Sequence, residues 1–217
     1  MTAQSEKLES LLALGSRIPL VLKHVDKSIN SEPRQVKSSL VKDLMSQEKD
    51  LTTYLIIHCT TDPQVTSTQH DRVNEDLDQA KNSKSLFDLT CESLCRICLL
   101  LVVESLHNFE SHMWPTQPPT FDPQTHATSL RKTTAALTDA AYTPICKARV
   151  MSAPLHFLRR FYEQQGDSAG LRWCQRVRET VCKEAPWLRW DALLPWCLLY
   201  PHKLFFEVED VDASGRH

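Results

Sequence analysis

The chain has 217 residues, a formal charge of −2 and a hydrophobic share of 41%, which is enough to bury a core without disulfides or a structural metal. Its 4 glycines are few, which argues against β folds rich in tight hairpins and against the glycine-rich loops that hold nucleotide phosphates. The near-neutral charge argues against a protein that is attracted as a whole to nucleic acid or to an anionic membrane.

Residues 1–114 are predicted to form long helices. Leucines at three- and four-residue steps predict a helix over 4–30, interrupted at Gly15-Ser16, where Pro19 would open a second piece. The same spacing predicts a further helix over 33–59.

A polar, proline-containing loop is expected at 60–70, and helical spacing resumes from 71 to 114. Within it, Ile97–Val103 is apolar on every side, a pattern typical of the buried central helix of a bundle. This run is also the longest strictly apolar one and is far shorter than the ~20 residues that span a bilayer, so no membrane span is predicted.

Residues 115–125 contain four prolines and no glycine, which predicts an extended linker and the best candidate for a domain boundary. Residues 126–204 are then predicted to form shorter helices separated by prolines, either as a second domain or packed on the first as one. Residues 205–217 form an acidic tail. The overlapping segment 204–212 is predicted either to contain a short strand, at 204–208, or simply to be tail. The fold expected from these patterns is an all-α, multi-helix bundle with long N-terminal helices and a shorter-helix, proline-punctuated C-terminal region.

The N-terminus has no basic stretch followed by an apolar core, so no signal peptide is predicted. Without such a signal, the 8 cysteines are expected to be reduced thiols, and the expected location is the cytoplasm or the nucleus.

Three cysteines, Cys91, Cys95 and Cys98, have the spacing of an iron–sulfur cluster loop. Cluster ligands converge from an irregular loop, however, whereas these three lie at i, i+4 and i+7 of a helical run and share one helix face. Cysteine is among the most buried residue types, so core packing is the preferred interpretation, and no metal or cofactor is predicted.

Glu104 and His107 have the E-x-x-H spacing found in di-iron bundles, but a second copy of that motif is missing from the sequence. We therefore interpret the pair as a solvated or locally hydrogen-bonded helix face. No glycine-flanked nucleophile is present either, so an enzyme is not the favoured class.

The C-terminal third combines basic and aromatic residues. Lys and Arg outnumber Asp and Glu by 10 to 5 over residues 141–204, a stretch that also holds four of the five tryptophans. Such a combination is found at protein interfaces and at surfaces that stack single-stranded nucleic acid, while tryptophans filling a core beneath solvated arginines would give the same pattern. The residues predicted to bind a partner are Arg172, Arg176, Arg178, Arg189, Trp187 and Trp190.

The function predicted from the sequence is therefore a non-enzymatic helical interaction or scaffold subunit of an intracellular complex, with a protein as its partner. Two alternatives stay open. The first is a carrier that encloses a lipid or other apolar ligand beside its apolar central helix. The second is a nucleic-acid-binding accessory protein.

Overall fold

The computed structural model describes residues 3–31, 34–59, 84–139 and 142–184. Within these ranges the chain forms six α-helices and no strand, which confirms the all-α prediction. In chain order the helices are α1 (Ala3–Ser31), α2 (Arg34–His58), α3 (Leu86–Met113), α4 (Pro123–Asp139), α5 (Pro144–Gln165) and α6 (Ser168–Glu184). No helix in the described ranges is long and apolar enough to cross a membrane.

Helix α3 lies at the centre of the bundle and is shared by two hydrophobic clusters. One side of α3, which includes Cys95, Leu99 and Leu106, packs with α1 and α2. The other side, which includes Ile97 and Leu100, packs with α4 and α5 and belongs to a cluster that α6 completes. Most of the apolar run Ile97–Val103 is thus buried as the sequence predicts, with Cys98 and Leu101 partly buried, because a helix with neighbours on opposite sides has little room for a polar face.

A buried carboxylate helps to join the two sides. Glu92 of α3 is 6% exposed and accepts hydrogen bonds from Lys84 at 2.7 Å, from Arg96 at 2.9 Å and from the Thr133 hydroxyl of α4 at 3.0 Å. Lys84 also donates to the carbonyl of Cys59, just beyond α2. Burial alone would raise the pKa of Glu92, but the hydrogen bonds and charges of Lys84 and Arg96 outweigh it and lower that pKa.

Replacement of Glu92 by Gln is therefore expected to cost roughly 2 kcal/mol of stability at pH 7, since it weakens charge-assisted hydrogen bonds in a buried site. A lowered pKa in the folded state means that the contribution is complete above the unfolded pKa of about 4.3 and is lost as the pH falls through the folded value. Urea unfolding should thus show the gap between wild type and E92Q narrowing below about pH 4.

The control for E92Q is Glu179→Gln, the same substitution at an exposed position of α6. It should stay within about 0.5 kcal/mol of wild type throughout. A gap between wild type and E92Q that stays constant from pH 7 to pH 3 would contradict the role given to the Glu92 carboxylate.

Two prolines expected to separate helices lie inside them instead. Helix α1 runs without interruption through Gly15-Ser16 and Pro19, and α5 runs through Pro154. Gly15 faces α3, where a Cβ would lie 3.7 Å from the Cys98 sulfur, so this glycine belongs to a helix contact rather than to a break. A proline removes one hydrogen bond of its helix, and here the packing of α1 and α5 on their neighbours maintains both helices past that loss.

The segment expected to be a linker is shorter than predicted, because α4 begins at Pro123 rather than near residue 126. Asp122 caps this helix by accepting from the backbone N–H groups of Gln124 at 3.0 Å and Thr125 at 3.3 Å. Aspartate at the cap followed by proline in the first turn is a helix-start signal. The sequence analysis missed it because the four prolines of the segment predict a linker.

The irregular residues between α3 and α4 are exposed from Trp114 to Thr120, but two hydrogen bonds connect this segment to α3. The Thr120 N–H donates to Glu110 at 2.6 Å, and a ring nitrogen of His107 lies 2.8 Å from the Phe121 carbonyl oxygen. The loop predicted at 60–70, the strand or tail predicted at 204–212 and the acidic tail lie outside the described residues.

Candidate binding groove

The last two helices form a hairpin around a two-residue connection. Gly166 adopts a left-handed conformation with φ of 67°, and the N–H groups of Gly166 and Asp167 donate to the carbonyls of Glu163 and Tyr162. The Asp167 carboxylate then accepts from Ala169 and Gly170 and caps α6. At the far end, Lys147 approaches Glu184 at 3.8 Å, so the two helices run antiparallel along their length.

The start of α6 lies so close to α5 that only glycine fits at position 170. A Cβ there would lie 2.5 Å from Cγ of the buried Tyr162 ring. We expect Gly170→Ala to destabilise the fold by about 1–3 kcal/mol, because the extra methyl must displace a packed ring. Thermal and urea unfolding measure this effect.

The matched control is Gly15→Ala, the same substitution within α1. A Cβ at position 15 would meet only Cys98 at an ordinary contact distance of 3.7 Å. Since alanine favours helix over glycine, this variant should gain up to about 1 kcal/mol. Equal effects of both substitutions would refute the close approach of α6 to Tyr162.

An open groove of about 660 Å³ runs between the outer sides of α5 and α6. We call it the arginine groove. Helix α5 contributes residues at i, i+3, i+4, i+7 and i+11, and α6 contributes a similar face, so each wall is one continuous helical stripe. The residues that line the groove are Ser152, Leu155, His156, Arg159 and Glu163 on α5, with Leu171, Arg172, Cys174, Gln175 and Arg178 on α6.

The floor of the arginine groove is apolar and its sides are basic. Leu155 and Cys174 are buried members of the hydrophobic core, and Leu171 packs against that core. The lining holds three arginines and one glutamate, a formal charge of +2 from these four side chains. Burial raises the pKa of the Cys174 thiol to about 11, so at neutral pH this thiol is a neutral part of the floor.

The arginines of the groove differ in how many hydrogen bonds and ion pairs their side chains make. Arg159 donates to Glu163 at 2.8 Å, an exposed pair one helical turn apart, and Arg172 makes one long contact of 3.4 Å to the Ser168 hydroxyl. Arg178 has no ion pair among the described residues. Two of the three guanidinium groups thus have most of their donors free for a carboxylate.

The structure separates the residues that the sequence grouped together. Arg172 and Arg178 line the arginine groove, whereas Arg176 is exposed on α6 but does not line it. Arg189, Trp187 and Trp190 lie outside the described residues. The sequence analysis assigned neither Arg159 nor His156 to the site. The available signal was the helical spacing of Ser152, His156, Arg159 and Glu163.

Trp173 is not an open stacking surface. It is half-buried against the core, and the guanidinium of Arg131 from α4 lies 4.8 Å from its ring centroid. A cation over the ring uses the face that a nucleobase would need. A smaller cavity of about 250 Å³ adjoins this pair and is lined on the α4 side by Arg131 and Lys132.

The cysteines of α3 pack as the sequence analysis preferred. Cys91 and Cys95 are fully buried, Cys98 is partly buried, and the Cys95 thiol lies 3.4 Å from the Leu51 carbonyl of α2. Burial raises the pKa of Cys91 and of Cys98 to about 12. Within the described ranges, no three or more His, Cys, Asp or Glu residues are grouped so that they could hold a metal ion.

Glu104 and His107, the two residues of the E-x-x-H motif, each contact a different part of the protein. Burial raises the pKa of Glu104, which lies 4.0 Å from Arg160 of α5, while His107 is bonded to the loop before α4. Both side chains therefore have structural partners, but Glu104 contacts another helix and does not lie on the solvated or locally hydrogen-bonded face that the sequence analysis expected.

The described helices form an all-α bundle with an open groove that has an apolar floor and basic sides. Comparisons of this chain with protein-family models, with curated proteins and with solved structures find no match. Inferences about function therefore depend on the residues of the chain itself.

Proposed function

We propose that this protein is a non-enzymatic interaction or scaffold subunit that binds an acidic, partly apolar segment of a partner protein in the arginine groove. The cytoplasm or nucleus is the location that goes with this proposal. The observation that carries it is the pairing of an apolar floor with Arg172 and Arg178, whose side chains retain unused donors.

The chemistry of the arginine groove matches a peptide better than a small substrate. The partly buried Leu171 and the small exposed edge of Leu155 offer apolar surface, which favours burial of apolar side chains. Arginine above that surface binds carboxylates through paired, planar hydrogen bonds, and it is enriched at interface hot spots. A segment with both apolar and acidic residues can place its apolar side chains on the floor and its carboxylates against the arginines.

The two alternatives have less support. A carrier for an apolar ligand would place a pocket beside α3, yet both the arginine groove and the smaller cavity are lined by other helices. A nucleic-acid-binding site would use open aromatic faces, and Trp173, the tryptophan of the groove-forming helices in the described region, has Arg131 over its ring.

Affinity capture with three baits tests the proposal. The baits are wild type, the double variant Arg172→Glu/Arg178→Glu, and Arg176→Glu as a control that reverses a charge on α6 outside the groove. A stoichiometric partner with an acidic segment, retained by wild type and R176E and lost from the double variant, would support it. Identical partners on all three baits would refute it, and loss of bound RNA or DNA alone from the double variant would support the nucleic-acid alternative instead.

A further inference from the structure

The described part of the chain ends beside the arginine groove. Lys147 and Glu184 mark the end of the α5–α6 hairpin where α6 stops, and Arg178 is the groove arginine nearest to that end. Arg172 lies 12 residues before Glu184, or about 18 Å along a helix. The continuation of the chain therefore starts at one mouth of the groove.

The residues that follow contain a segment with the composition this groove accepts. Phe205, Phe206 and Val208 are apolar, and they stand next to the four acidic residues of the tail, Glu207, Glu209, Asp210 and Asp212. Apolar side chains suit the floor, and carboxylates suit the guanidinium groups of Arg172 and Arg178. The acidic tail, 205–217, is 13 residues long, and no stretch of this length between Glu184 and the tail has a comparable excess of acidic residues.

The connecting chain is long enough for this segment to return. Glu207 lies 23 residues beyond Glu184. A chain of that length has an average end-to-end distance of about 25 Å when flexible, which exceeds the ~18 Å back to Arg172. The distance from Glu184 to the groove therefore does not prevent the segment from binding within one molecule.

We propose that the acidic segment Glu207–Asp212 of the same chain binds the arginine groove and competes there with the partner. The inference rests on the proposed function, because it assigns a regulator to the same groove. An attached segment has an effective concentration on the order of 1 mM. A segment that binds with a Kd of about 100 µM would then occupy the groove most of the time and weaken partner binding about tenfold.

A labelled peptide tests the competition in the full-length protein. The probe is a fluorescein-labelled copy of residues 204–214, titrated by fluorescence anisotropy. The proteins are wild type and a full-length variant with the tail neutralised, Glu207→Gln/Glu209→Gln/Asp210→Asn/Asp212→Asn. We expect the neutralised chain to bind the probe about tenfold more tightly than wild type, because its own tail no longer competes.

Two further variants locate the competition. In the neutralised background, Arg172→Glu/Arg178→Glu should abolish probe binding, and Arg176→Glu should leave it within about twofold. Circular dichroism at matched concentration confirms that each variant is folded. Probe binding that survives the double reversal would place the segment elsewhere and overturn the inference.

The remaining outcomes separate this inference from the proposed function. Equal affinity of wild type and neutralised chain for the probe refutes tail competition, while salt-sensitive, groove-dependent binding would still support an acidic partner. Absence of probe binding by both chains refutes the inference, and the capture experiment then decides the proposed function on its own. A wild-type dimer that dissociates when the tail is neutralised would place the tail in a second copy and overturn binding within one chain.

Discussion

Leu100→Ala is expected to destabilise the whole protein by about 2–5 kcal/mol, the usual cost of deleting a fully buried leucine side chain. Leu100 is 1% exposed and belongs to the cluster that α3 forms with α4, α5 and α6. The loss combines the transfer free energy of the removed groups with the cavity that the surrounding helices cannot close.

The adjacent residue provides the matching experiment on the other side of α3. Leu99 is also 1% exposed but packs with α1 and α2, so Leu99→Ala should cost a similar amount. The control is Leu12→Ala, the same truncation at a position of α1 that is 36% exposed, which should change stability by less than about 1 kcal/mol.

Two probes make the unfolding experiment decisive. Far-ultraviolet circular dichroism follows all helices, whereas tryptophan fluorescence follows residues from Trp114 onward, since all five tryptophans lie there. Because α3 belongs to both clusters, the two signals should change together in urea for wild type and for both variants. If Leu99→Ala leaves the fluorescence transition unchanged, the cluster with α1 and α2 unfolds separately from the cluster with α4, α5 and α6.

The second large effect concerns binding. Arg172→Glu/Arg178→Glu is expected to weaken the affinity for the partner by about 100-fold, because two hydrogen bonds to charged groups are lost at about 1.5 kcal/mol each. The remaining binding should weaken less with salt than that of wild type, since fewer opposite charges meet. Titration at two salt concentrations measures both effects.

Arg176→Glu again serves as the control for the charge itself. It places the same negative charge on the same helix outside the arginine groove, so it should change the affinity by no more than severalfold. Equal losses in R176E and in the double variant would mean that general attraction to α6, rather than the groove, holds the partner.

Much of the fold was predictable because it follows from helical spacing. The apolar run in α3 and the leucines of α1 and α2 identified their helices from local pattern alone. The errors came from Gly15, Pro19 and Pro154, because glycine and proline within a sequence predict a helix break. Tertiary packing stabilises a helix past one missing hydrogen bond, and a single sequence does not reveal the neighbour that supplies it.

The candidate site was predictable only in part. Charge and aromatic density pointed to the third of the chain that contains the groove, and Arg172 and Arg178 line it. The pairing of α6 with the Arg159 face of α5 depends on the sharp turn at Gly166, and only coordinates show which stripes face each other. For the same reason Arg176 could not be separated from its neighbours by sequence.

The short connection at Gly166-Asp167 also bears on how quickly the protein folds. Most packed helix pairs, including α1 with α2 and α5 with α6, are neighbours along the chain, and local contacts of this kind shorten the conformational search. The α5–α6 hairpin closes a loop of only two residues, so it loses little chain entropy when it forms. The basic groove is therefore expected to assemble early in folding, before the more distant contact between α1 and α3 is made.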